Sequence, residues 1–245
     1  MIHYHGTPIT PEVAAAAILN GRHAMVSFAN PQQIDLVADA CQSFALDNGA
    51  FSDWKAAHAK TDWNEWKPYV TWVNEWMHHP CFDFALIPDV IDGTEKDNDI
   101  GIAIWPLGTQ VGCPIWHLHE SLRKLDRLCN MWPRVAIGSS GEYAQIGTRS
   151  WWNRMHEAME IACPFGWPLT KLHGLRMLDK DVFTEFPFSS ADSTNIARNI
   201  GIDSAWRGTY LPANKSGRGV VIAERIEAFN SAPRWNKKAI QSALF

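Results

Sequence analysis

The sequence predicts an α/β protein built as a compact single-domain (β/α)8 TIM barrel, and three observations predict it. Short apolar runs alternate with helix-compatible segments about eight times, the pattern of parallel strands joined by crossover helices. The length of 245 residues is close to the ~250 residues usual for a closed barrel of this kind. The competing open, doubly wound sheet needs a glycine-rich phosphate fingerprint after its first strand, and Gly6-Thr7-Pro8 offers a single glycine.

The elements follow in order. Ile2-His3-Tyr4-His5 ends at Gly6, and Pro11 to Leu19 reads as a helix with Thr10 as N-cap and Pro11 at its first position. Ala24 to Phe28 is a second strand, and Pro31 opens a helix to Ala40. Phe44-Ala45-Leu46 leads to Asp47, and a long Trp-rich helix spans Asp62 to Met77. Its Trp63, Trp66, Trp72 and Trp76, part of a total of 13 tryptophans, sit at helical spacing, which suits a packing face better than a base-stacking platform. Phe82 to Ile87 ends at Pro88-Asp89, followed by a helix from Lys96 to Ile104. Pro114 to His119 is the fifth run, with an amphipathic helix from Glu120 to Met131. Arg134 to Ile137 ends in Gly138-Ser139-Ser140-Gly141, and a helix covers Arg149 to Ala162. Lys171 to Met177 is the seventh run, and Phe186-Pro187-Phe188-Ser189 is the eighth. One domain is expected across residues 1–245, with a basic segment at 201–245.

Barrel active sites face the C-terminal ends of the strands, so the lip residues can be collected without any motif. His5, Asp47, Asp89, His119, Ser139, Ser140, Glu142, Arg176 and Asp192 are expected at one mouth. Asp192 ends the eighth run just before the helix-compatible Ile196 to Asn199, where Asp192 or Ser193 also reads as a plain helix cap. Asp47 has the same placement, after Ser43-Phe44-Ala45-Leu46. Two carboxylates in one mouth suit retaining glycosyl transfer: one attacks the anomeric carbon and the other, kept protonated by burial or a like charge, serves the leaving group. If the leaving group is a nucleobase and another base re-enters, the reaction is transglycosylation, and it needs no metal or nucleotide cofactor. Asp89 suits an amidine-like base edge, and the backbone of the glycine-serine loop suits its carbonyl side, although an ordinary strand-to-helix turn explains that loop equally well.

Composition narrows the partners. A net charge of −4 gives no global attraction to a polyanion, so a nucleic acid must be held by a local basic patch. Arg198 and the tail residues Arg207, Lys215, Arg218, Arg225, Arg234, Lys237 and Lys238 supply candidates, with Arg198, Lys215 and Arg218 foremost; solvated surface is the alternative. Cys41, Cys81, Cys113, Cys129 and Cys163 are scattered without a Cys-x-x-Cys pair and read as reduced thiols. No leader-like or membrane-spanning apolar run is present, so a cytoplasmic protein is expected.

Asp47-Asn48-Gly49-Ala50-Phe51 resembles the Asp-Ser-Gly-Gly-Phe signature of the queuine/archaeosine tRNA-guanine transglycosylases. Ile87-Pro88-Asp89 occupies the place of their base-recognising Asp, and Ala136 to Gly141 resembles their base-contacting glycine-rich loop. Ser190 to Asn195 matches the position of their nucleophilic Asp. The resemblance spans residues 40 to 200 and implies that Asp192 forms the covalent glycosyl-enzyme and that Asp47 is the acid/base. It places Asp89, His119, Gly138, Ser139, Ser140, Gly141, Asn48 and Phe51 around the base, His119 standing where the family carries a Gln. The tRNA enzymes' Cys-x-Cys-x-x-Cys and His zinc site is missing after Cys163, and the chain is much shorter. Both departures point toward the compact relatives, found largely in phages, that exchange guanine in DNA for a 7-deazaguanine such as 7-cyano-7-deazaguanine. Similarity thus implies DNA rather than tRNA, a host-cell cytoplasmic site of action, no cofactor, and room for a homodimer.

Two other classes stay open. His3, His5, His117, His119 and Asp192 are similar to the zinc ligands of metal-dependent amidohydrolases, although Ser139-Ser140 and Asp89 replace other ligands expected there. A non-catalytic partner barrel is the third reading, against which stands the retention of both Asp47 and Asp192.

Overall fold

A computed structural model describes residues 1–57, 60, 62–201 and 211–237. Nine strands form one all-parallel, nearly closed barrel: β1 (Ile2–Gly6), β2 (His23–Ser27), β3 (Ser43–Asp47), β4 (Phe82–Leu86), β5 (Gly112–Cys113), β6 (Ile115–His117), β7 (Arg134–Gly138), β8 (Lys171–Gly174) and β9 (Ser190–Ser193). Their order around the sheet is β5-β4-β3-β2-β1-β9-β8-β7-β6. The count exceeds the expected eight because a short strand, Gly112–Cys113, lies ahead of the expected fifth run, and Pro114, which has no N–H to give a ladder, separates the two. The piece before it pairs with β4 through Ala85↔Gly112, and the piece after it pairs with β7 through Ile115↔Ala136. The Pro114 carbonyl still accepts from the Ala136 N–H at 2.9 Å, so the chain itself bridges the two edges.

Alternation along the strands sorts the side chains into two cores. Tyr4, Met25, Ala45, Phe84, Leu86, Cys113, Ile115 and Ala136 fill the lumen, while Ala24, Val26, Phe44, Leu46, Val135, Ile137, Leu172 and Ala191 face the surrounding helices. This parity aims Ser27, Asp47, His117, Gly138 and Asp192 inward at the strands' C-terminal ends. It turns His3 and His5 outward.

The helices are α1 (Glu12–Leu19), α2 (Ile34–Ala40), α3 (Ala50–Lys55), α4 (Lys67–Trp76), α5 (Glu95–Ile104), α6 (Leu122–Met131), α7 (Arg149–Ala162), α8 (Lys180–Phe183), α9 (Asn195–Asn199) and α10 (Lys215–Glu227). Thr94 and Ser121 cap α5 and α6 with their hydroxyls, which moves the start of the latter from the expected Glu120 to Leu122. Pro11, rather than Thr10, is the residue before α1. A 3-10 turn at Trp63–Trp66 runs into α4, and Trp66, Tyr69 and Val73 are buried against the barrel, with Trp72 and Trp76 packed beside them. The tryptophan stripe is therefore a packing face. None of the helices among the described residues is long and apolar enough to cross a membrane.

Three expected strands end elsewhere. Phe186 and Phe188 are buried core residues of a connecting loop, because Pro187 cannot donate to a ladder, and the strand begins only at Ser190. The seventh run stops at Gly174, where the chain turns. The fifth stops at His117, whose carbonyl accepts the Glu120 N–H at 2.8 Å while the Glu120 carboxylate accepts the His117 N–H at 2.9 Å.

The tail contributes α10, which packs on α1 and β1. Glu227 accepts from Arg22 Nε at 3.0 Å and lies 2.8 Å from His5 Nε2, so His5 belongs to this helix seam instead of the barrel mouth. Gly219 permits the close approach of α10: a Cβ there would lie 2.1 Å from Ile18 Cδ1 and 2.7 Å from its Cγ1. Ile18 is fully buried and has little room to yield. Gly219→Ala is expected to destabilise by about 1–2 kcal/mol, the overpacking outweighing the ~1 kcal/mol gained in helix propensity, and urea unfolding measures it. An unchanged or raised midpoint would show that the seam repacks freely.

Candidate active site

The strand ends open into a cavity of about 860 Å³. Among the expected site residues its walls include Asp47, Asn48, Phe51, Asp89, Gly138, Ser139, Ser140, Arg176, Asp192 and Arg198; Ser27, Asn30, Lys55 and His117 join them.

Asp192 is the third residue of β9 and is 8 % exposed. Its Oδ1 accepts the Arg176 backbone N–H at 2.9 Å. His173, held at Nδ1 by Ser190 Oγ (2.8 Å), aims Nε2 at the same oxygen from 3.4 Å. Asp47 ends β3. The following Asn48-Gly49 turn starts α3: Gly49 adopts φ +82°, and Asn48 Oδ1 accepts the Ala50 N–H at 2.8 Å. Burial pushes the Asp47 carboxyl up to about 6, the Asp192 and Asp89 charges add to the rise, and the Ser27 hydroxyl and Gly49 N–H oppose it. One carboxyl of the cavity is thus poised to carry a proton near neutral pH.

Asp89 follows β4 and is almost wholly buried. Asn48 Nδ2 donates to its Oδ1 at 2.9 Å and also to the Ile87 carbonyl at 3.0 Å, while His117 Nε2 lies 2.8 Å from its Oδ2. His117 Nδ1 is 3.1 Å from Ser140 Oγ, which is 2.8 Å from His119 Nδ1. The chain Asp89–His117–Ser140–His119 therefore runs from inside the cavity to the exposed ring of His119, which is stacked on His117. In the same cavity, Phe51 carries the Arg176 guanidinium over its ring at 4.1 Å.

Several expected positions fall elsewhere. His119 lies past the end of β6 on the outer lip, so His117 takes the inward place expected for it. Gly141 and Glu142 lie in a 3-10 turn outside the cavity wall, Gly141 at φ +57°. Arg198 is exposed on the cavity rim and Lys215 is exposed at the start of α10. Arg218 is turned inward, 7 % exposed, its guanidinium donating to the Ile200 carbonyl at 2.7 Å and the Pro212 carbonyl at 3.2 Å. Those carbonyls need a partner where the chain enters α10, and a guanidinium so used is withdrawn from phosphate. Arg207 and Lys238 lie outside the described residues.

The alternative metal set is not brought together. His3 Nε2 bonds the Phe229 carbonyl at 3.0 Å and His5 bonds Glu227, both on the helix side of β1, away from Asp192. No group of three or more His, Cys, Asp or Glu placed to hold a metal occurs among the described residues. Lys55, outside the expected set, follows Phe51 by four residues, one turn along α3, a spacing visible in the sequence, and its Nζ lies 5.3 Å from the Phe51 ring centroid. No family model, curated protein or solved structure matches the chain.

Proposed function

We propose that this chain is a DNA-guanine transglycosylase that exchanges guanine for a 7-deazaguanine base through an Asp192-linked glycosyl-enzyme. The barrel is then an eight-unit TIM barrel whose fifth strand is divided at Pro114. The observation that carries the reading is the meeting of Asp47 and Asp192 in one cavity with Asp89, which Asn48 and His117 hold in place. Paired carboxylates with unlike environments are what a double displacement at an anomeric carbon requires.

In the first step an Asp192 oxygen attacks C1′ of the deoxyribose and the C1′–N9 bond breaks. The electron pair leaves on N9, which takes the proton of Asp47. In the second step the incoming base returns its N9 proton to Asp47, and N9 attacks C1′ and expels the Asp192 carboxylate. Two inversions restore the original configuration. Asp89 accepts from the donor edge of the base, while Ser139, Ser140 and the Gly138 backbone face its other side. Flipping the base out of a duplex costs a few kcal/mol, which phosphate contacts at Arg198 and its neighbours on the rim offset. DNA is favoured over tRNA because the sequence after Cys163 lacks the zinc-binding residues of the tRNA enzymes.

The test is an exchange assay. Labelled guanine placed in DNA or in tRNA is chased with 7-cyano-7-deazaguanine, and bound metal is measured on the same sample. Release from DNA is the expected result. Release from tRNA alone would change the substrate and keep the chemistry, whereas no release from either, with stoichiometric zinc, would transfer the chain to the hydrolase alternative.

A further inference from the structure

Arg176 stands where three parts of the cavity meet. Its backbone N–H holds Asp192, its guanidinium donates to the Ser139 carbonyl at 2.8 Å, and the same group lies over the Phe51 ring at 4.1 Å. Its φ of +58° lies in the left-handed region, which few residues other than glycine adopt, so the surroundings hold it there. In this position the guanidinium covers a ring face on which a planar base would stack. It also occupies a carbonyl that a base donor would use.

The arrangement leaves Arg176 with unspent capacity. Among the described residues the Ser139 carbonyl is the one acceptor its five-donor fork meets, and no carboxylate lies within 4.0 Å of it. The protein packed around it and the like charge of Arg198 weigh against its positive charge, with Asp192 and Asp47 favouring it from farther off. Lys55 flanks the same ring, and Arg198 lines the same cavity. Three cations thus surround the opening, and none of them has a carboxylate partner among the described ion pairs. A phosphodiester is the anion whose oxygens would satisfy a guanidinium fork there.

Resting on the base-exchange reading, we propose that Arg176 is a specificity-determining gate that admits a base only when a phosphodiester is present. The phosphate draws the guanidinium off Phe51 and off the Ser139 carbonyl toward Arg198 and Lys55, and the ring face and the carbonyl become free for the base. A free base arriving alone brings no anion and must displace the guanidinium without compensation. Once the glycosyl-enzyme has formed, the polynucleotide remains bound and the gate stays open, so the incoming deazaguanine enters at that stage.

Binding of each ligand alone tests this by calorimetry. 7-Cyano-7-deazaguanine and, separately, a short single-stranded oligodeoxynucleotide containing guanine are titrated into the parental protein, Arg176→Ala and Arg176→Lys. Removing the gate raises the fraction of protein open to the free base, so Arg176→Ala is expected to bind it about tenfold more tightly and the oligonucleotide about tenfold more weakly. Arg176→Lys keeps the charge without the planar cover, and is expected to share the tighter base binding while recovering oligonucleotide affinity. Losses for both ligands would mark a structural residue, and unchanged base affinity with weaker oligonucleotide binding would mark a plain phosphate contact; either overturns the gate while leaving base exchange standing. If neither ligand binds any of the three proteins, the base-exchange reading itself falls.

Discussion

Asp192→Asn is expected to eliminate the covalent protein–DNA adduct and to lower base exchange by roughly 10⁴-fold, as losing a covalent nucleophile does. The amide is nearly isosteric with the carboxylate. Its Oδ1 can still accept the Arg176 N–H, and β9 keeps its pairing with β1 through Tyr4↔Asp192, which rests on backbone groups alone. The fold should therefore survive, and the lost activity can be assigned to chemistry. Mixing the parental protein with DNA in the absence of an incoming base, then denaturing it, should leave a slow-migrating adduct that later addition of the deazaguanine removes. The Asn variant should leave none. Exchange at the parental rate in that variant would assign the nucleophile elsewhere, Asp47 being the next carboxylate in the cavity.

Much of this site was legible because carboxylates at the ends of apolar runs are uncommon and strand ends converge. Asp47, Asp89 and Asp192 all line the cavity, as their positions in the chain required once a barrel was assumed. What escaped the sequence was local termination. Phe186 and Phe188 form as apolar a run as any strand, but Pro187 shifts the strand to a polar tetrapeptide that carries no strand signature. His117 and His119 share the parity of one strand, and the choice between them depends on where that strand stops. The stop is set by Glu120, whose buried carboxylate also takes the Lys124 ammonium at 2.6 Å, a tertiary arrangement without a periodic trace. Arg218 looked like any surface cation of a basic tail. Its side chain is buried on the Ile200 and Pro212 carbonyls, partners that only the folded chain brings to it. Arg176 was legible as a lip residue, but not as a group poised over Phe51, because that contact joins the turn after β8 to α3.

Asp47→Asn is expected to move activity and stability in opposite directions. With its carboxyl pushed up to about 6, Asp47 is protonated in only about a tenth of molecules at pH 7, and that fraction falls tenfold with each further pH unit. In the proposed reaction the first step takes this proton, so the rate of glycosyl-enzyme formation in the parental protein should decline as pH rises through about 6. The Asn variant should lack this limb and be slower by roughly 10²–10⁴-fold, the range of a lost general acid. The sign for folding is the reverse. A carboxyl whose folded value lies above its ordinary 3.8 binds its proton more tightly in the native state, so the parental protein loses stability as pH rises from about 4 to about 6 and stays lower above that. The rise corresponds to at most about 3 kcal/mol at ~1.4 kcal/mol per unit. Asn carries no charge to desolvate, so the variant should unfold at higher urea than the parental protein at pH 7.5 and at nearly the same urea at pH 4. Equal unfolding midpoints at both pH values would mean that Asp47 is not held protonated by its surroundings, and the assignment of this residue as the acid would fail with it.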